Sequence, residues 1–87
     1  MEDRIRLEVI TPGGTVLETR AEYVSIPAAN GPIGVLAGHA PMYCALCEGK
    51  LRYRRADGEE GRADIRGGAA RVGGNRVVVL TPEAETD

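Results

Sequence analysis

Apolar and polar residues alternate along most of this chain. From Arg4 to Ile10, Ile5, Leu7 and Val9 fall on one face and Arg4, Arg6 and Glu8 on the other, the period-two pattern of a half-buried strand. Thr11-Pro12-Gly13-Gly14 breaks it, and Thr15 to Glu18 returns as a second strand. Glu22 to Ile26 reads as a third, with Val24 and Ile26 facing one way and Tyr23 and Ser25 the other. Further on, Glu48-Gly49-Lys50 is expected to turn the chain, and the strand that follows sets Leu51, Tyr53 and Arg55 against Lys50, Arg52 and Arg54. After the hairpin signal Asp57-Gly58, the return strand carries Ala63 and Ile65 inward and Arg62, Asp64 and Arg66 outward. Gly67-Gly68 is expected to turn the chain into Ala69–Val72, and Gly73-Gly74-Asn75 to turn it into the apolar strand Arg76–Leu80. The acidic tail from Glu83 to Asp87 is expected to fray. No segment keeps a helical period over the roughly 11 residues that would define a helix. Closely spaced turns between short strands predict an all-β sandwich or barrel.

One stretch departs from this rhythm. Ile26 to Leu46 packs three prolines, three glycines and the only histidine between two apolar runs. It interrupts the alternation for longer than a simple hairpin needs, and such ordered excursions present surface to a partner. Within it Asn30-Gly31 is a turn dipeptide, Ile33-Gly34-Val35-Leu36 is a brief apolar run, and Ala37-Gly38-His39-Ala40-Pro41 breaks the chain before strand resumes at Met42.

Composition narrows the picture. Eighty-seven residues form a single domain over 1–87 with a thin core, and with no Phe or Trp that core is built from Val, Ile, Leu and Ala. A net charge of −2 gives no electrostatic case for nucleic acid as a partner. The apolar runs fall far short of the ~20 residues that span a bilayer, so no direct membrane insertion is expected. Two cysteines make no disulfide framework and no apolar leader precedes the first strand, which together predict a cytosolic, soluble chain.

Candidate chemistry is sparse. Cys44 and Cys47 have C-x-x-C spacing, but a structural zinc wants four ligands, and strand geometry would point positions i and i+3 to opposite faces. His39 has no serine nucleophile around it, since Ser25 is the only serine, and is expected to anchor its loop on backbone carbonyls. Gly49-Lys50 is followed by Leu51, not by the Ser or Thr of a phosphate loop. No catalytic group, metal or cofactor is therefore expected. Lys50, Arg52, Arg54 and Arg55 form a basic stripe that would suit a free-standing nucleic-acid or protein-binding barrel. Only Tyr53 could stack a base there, and Glu59, Glu60 and Asp64 on the return strand can pair with the stripe instead.

The run Ile33-Gly34-Val35-Leu36-Ala37-Gly38-His39-Ala40-Pro41-Met42 resembles the signature of the epsilon subunit of rotary F-type ATP synthases. Leu7-Glu8-Val9-Ile10-Thr11-Pro12, Gly49-Lys50-Leu51-Arg52-Tyr53-Arg54, Gly67-Gly68 and Asn75-Arg76-Val77-Val78-Val79-Leu80 resemble other parts of the same family in the same order. The resemblance implies a flattened antiparallel β-sandwich of about ten short strands and a non-catalytic place in the central stalk. There it implies contacts with the gamma subunit and the c-ring, one copy per complex, coupling ion-driven rotation to ATP synthesis. It further implies a peripheral position at the cytoplasmic face of the bacterial plasma membrane.

The partner-contact residues implied are Asn30, Gly31, Pro32, Ile33, Gly34, Gly38, His39, Ala40, Pro41 and Met42. Asn30-Gly31-Pro32 stands where the family often has Glu-Gly-Glu, so the ring contact is expected to rely on shape and apolar area instead of charge. Family members usually continue into a two-helix domain that binds ATP in some bacteria. This chain is expected to lack that domain and its nucleotide site.

Overall fold

The computed structural model describes residues 3–86. Among them are eight strands: β1 (Ile5–Thr11), β2 (Gly14–Ala21), β3 (Tyr23–Ala28), β4 (Gly31–Leu36), β5 (Met42–Arg54), β6 (Glu60–Gly73), β7 (Arg76–Leu80) and β8 (Ala84–Thr86). They hydrogen-bond in the order β2-β1-β7-β6-β5-β3-β4, with β8 added beside β6.

The frame is the β5–β6 hairpin, whose ladder runs from Met42 opposite Val72 to Arg54 opposite Glu60. Both strands are too long to stay in one layer, and each bends near its middle, where no pairing links Cys47 to Gly67. One half of the hairpin carries β7, β1 and β2, and the other carries β3, β4 and β8. The sheet thus folds over on itself into two layers. Ile5, Leu7 and Val9 of β1 meet Val24 and Ile26 of β3, Leu51 of β5, Ala63 and Ile65 of β6, and Val77 and Val79 of β7, all buried in one cluster. Fully burying each of the larger side chains contributes about 1.5–3 kcal/mol, and the alternation fixes which phase of each strand is buried.

The architecture is the expected all-β sandwich with four corrections. Among the described residues there are eight strands, not ten. Gly49 and Gly67-Gly68, expected as turns, lie inside β5 and β6, because a bend can continue the ladder with the chain redirected. Ala84–Thr86, expected to fray, pairs with Ala63–Ile65 as β8, while Asp87 lies outside the described residues. The sheet is also not wholly antiparallel: β1 and β7 run parallel, Leu7 opposite Val77 and Val9 opposite Val79.

Candidate functional site

The excursion at Ile26–Leu46 resolves into a tight hairpin followed by a loop. Ala28 pairs with Gly31, so Ala29 and Asn30 form the tip, one position earlier than Asn30-Gly31. Pro27 then faces Pro32 across the hairpin. The rung after a two-residue closing pair is non-hydrogen-bonded, so neither proline is asked to donate across it. The missing donor of Pro32 faces outward, since β4 is an edge strand. That of Pro27 faces β5, where the β3–β5 register breaks between Ser25 and Ala28. Cys47 fills this break, its thiol donating to the Pro27 carbonyl at 3.4 Å. Cys44, three residues earlier, packs against the core instead, as strand spacing requires.

At the other end of β4, Leu36 to His39 makes a turn closed by the His39 N–H on the Leu36 carbonyl at 3.1 Å. Gly38 sits at its third position with φ of +83°, the geometry of a type II turn that disfavours any other residue. The His39 ring nitrogen Nδ1 lies 2.7 Å from the Ala40 carbonyl and donates to it. Pro41 packs over Gly73 of the β6–β7 hairpin, and the Gly38 N–H donates to the Asn75 side-chain oxygen at 2.7 Å. Met42 and Ile33 are half-buried against the core.

The ten residues expected to form one contact loop are therefore split. Asn30, Gly31 and Pro32 lie at one end of β4, beside Ala45 of β5, which accepts from the Ala29 N–H. Ile33 and Gly34 lie within the strand, and Gly38, His39, Ala40 and Pro41 lie beyond its far end, with Met42 opening β5. Six residues of strand separate the two ends by roughly 17 Å.

A third surface was not visible in the sequence reading. On the outward face of the β5-β6-β7-β1 layer, Ala45, Ala69, Leu80 and Ile10 share one register row, and Tyr43, Arg71 and Val78 share the next on the same face. Leu80 is 54% exposed and Tyr43 78% exposed, with the Arg71 guanidinium 5.9 Å from the centre of the Tyr43 ring. The available signal was phase: Val77 and Val79 point inward, so Val78 and Leu80 must point out.

Beyond this apolar patch the same face is charged and internally paired. Arg76 donates to Glu8 at 2.7 Å, and Arg6 donates to Glu18 at 3.0 Å. The Arg76 hydrogen bond, aided by the charges of Arg76 and Arg6, holds the Glu8 carboxyl below its ordinary pKa. The basic stripe is likewise engaged. Lys50 pairs with Asp64 at 3.0 Å and depresses its pKa, and Arg54 pairs with Glu22 at 2.9 Å while stacking over Tyr23. Tyr53, the one aromatic that could have stacked a base beside the stripe, packs against the core from the other face. Among the described residues no group of three or more His, Cys, Asp or Glu side chains is placed to hold a metal, and no helix is long and apolar enough to cross a membrane.

A folded-over sheet with loops at two opposed ends and one apolar outer face defines a small β-sandwich domain. The chain belongs to the ATP synthase delta/epsilon chain beta-sandwich domain family, which matches residues 4–87. It is 42% identical over 85 residues to the ATP synthase epsilon chain of Lawsonia intracellularis and 41% identical to that of Carboxydothermus hydrogenoformans. Each alignment covers 98% of this chain and 63% of the relative, so the chain spans somewhat under two thirds of their length. Among solved structures, a chain of the Euglena gracilis mitochondrial ATP synthase, resolved with its c-ring, superposes with a TM-score of 0.88 at 27% identity, covering 99% of this chain and 55% of that one. A chain from the central stalk and c-ring of the Tetrahymena thermophila mitochondrial enzyme shares the fold, with a TM-score of 0.75 at 13% identity over 97% of this chain and 67% of that one.

Proposed function

We propose that this chain is a non-catalytic central-stalk subunit of an F-type ATP synthase, present once per complex, that couples c-ring rotation to ATP synthesis by docking on two partners. The observation that carries this reading is the separation of its candidate surfaces. A coupling subunit must hold two partners at once, and Asn30–Pro32 lies at the opposite end of β4 from Gly38–Pro41. The hairpin tip at Asn30–Pro32 meets the c-ring. The apolar outer face around Leu80 and Tyr43, 54% and 78% exposed, meets the gamma subunit together with the Gly38–Pro41 loop, which leads directly into β5 ahead of Tyr43. Apolar side chains held outward on a rigid sheet give a docking surface its affinity at low ordering cost. With Pro32 in place of an acid, the ring contact rests on shape. Such a subunit sits peripherally, at the cytoplasmic face of a bacterial membrane, through its partners.

Photo-crosslinking in the assembled complex tests the assignment. A benzophenone amino acid in place of Asn30 should link to the c subunit, and one in place of Leu80 should link to gamma. If both positions link to the same subunit, the two-surface reading fails.

A further inference from the structure

The structure assigns to Asn75 a positioning role: it holds the Gly38–Pro41 loop in its docking shape from across the fold. This rests on the reading above, in which that loop is part of a partner surface. Asn75 is the only non-glycine residue at positive φ among the described residues, at +57°, and with Gly74 it forms the two-residue turn between β6 and β7. Asparagine tolerates this left-handed geometry better than other side-chain-bearing residues. The turn therefore does not require glycine at this position, and the asparagine side chain is free to act elsewhere.

Asn75 bonds two other segments of the chain. Its side-chain oxygen accepts the Gly38 N–H at 2.7 Å, 37 residues away in sequence. Its backbone carbonyl accepts the Arg6 N–H at 2.9 Å, tying the turn to the start of β1. Two residues earlier in the chain, Gly73 lies under Pro41, with room for no more than ordinary contact. Inside the loop, the His39 N–H closes the turn on the Leu36 carbonyl and the His39 ring bonds the Ala40 carbonyl, and neither bond ties the loop to the sheet. The amide of Gly38 points out of that turn, so the Asn75 bond is what fixes the turn's rotation relative to the sheet. His39 and Ala40, next along the chain, take their orientation from it. Asn75 touches no partner in this scheme and works through Gly38.

Two substitutions separate the side chain from the backbone conformation. Asn75→Gly keeps the left-handed turn and deletes the acceptor, and Asn75→Asp keeps both. In the full chain, Asn75→Gly should speed amide hydrogen exchange at Gly38 about fivefold or more, the worth of one exposed hydrogen bond, and leave Val77 and Val79 protected. Its affinity for the gamma and c-ring assembly should fall by a similar factor, and Asn75→Asp should restore both readouts. Unchanged exchange at Gly38 in Asn75→Gly, or exchange that rises equally at Val77 and Val79, would overturn the positioning role. A direct loop variant, His39→Ala, keeps this distinct from the docking reading. If His39→Ala weakens assembly and Asn75→Gly does not, Asn75 has no positioning role. If neither weakens assembly, the loop is not a docking surface and the inference falls with it.

Discussion

Gly68 lies directly against the backbone of Leu80. A Cβ at residue 68 would come within 2.9 Å of the Leu80 carbonyl carbon and closer still to its oxygen, and Gly68 itself has φ of +105°. Here β6 bends from one layer into the other, so β7 can pass close beneath it only if residue 68 has no side chain. The same approach sets Leu80 outward on the apolar face. Gly68→Ala meets backbone and not a movable side chain, on top of strained dihedrals, and should cost about 3–5 kcal/mol. Urea unfolding of the variant measures this; a loss under about 1 kcal/mol would mean the bend can relax.

Glu8 and Asp64 both have pKa values lowered by hydrogen bonds from Arg76 and Lys50. A carboxylate with a folded pKa below its unfolded one stabilises the fold above the unfolded value, and that contribution is lost as pH falls through the folded one. The melting temperature should therefore hold between roughly pH 7 and 5 and decline below about pH 4. In Glu8→Gln the acid decline should be shallower and the neutral-pH melting temperature slightly lower. The partners Arg76 and Lys50 are both exposed, so solvent screens the two pairs and the effect is small, and calorimetry across the pH series checks its sign.

Leu80 is more than half exposed, so its outward side chain adds little to the core. Leu80→Glu should leave the melting temperature within about 3 °C of the parent while weakening gamma binding at least tenfold. Equal losses of stability and binding would assign Leu80 to the fold instead of to docking.

Pro32 is exposed on the edge strand, and its missing N–H points away from the sheet. Pro32→Glu should change stability by less than about 0.5 kcal/mol. The parent's c-ring contact should vary little with salt, whereas the glutamate variant should acquire salt dependence between about 0.05 and 0.5 M. A steep salt dependence of the parent would contradict an apolar, shape-based contact.

Local features were legible in the sequence where the physics is local. The alternation of Ile5, Leu7 and Val9 gave their burial, and Pro12-Gly13 and Gly74-Asn75 gave two-residue turns. Glycine was the main source of error, because a residue that can turn the chain can also bend a strand without ending it. Gly49 and Gly67-Gly68 did the latter, so β5 and β6 each replaced two expected strands. Non-local pairing left no local mark: neither the parallel β1–β7 ladder nor the docking of β8 on β6 is written in the residues of one strand. The candidate contact residues were read as one loop because Pro27 and Pro32 resemble loop residues. Facing each other on a rung that needs no donor, they sit within a hairpin that separates the two ends.

Co-purification of the full chain with the gamma subunit and with the c-ring of its own ATP synthase tests the central claim most directly. The expected result is recovery of both, with Leu80→Glu losing gamma and keeping the ring. Recovery of neither partner would contradict a stalk subunit with two docking surfaces.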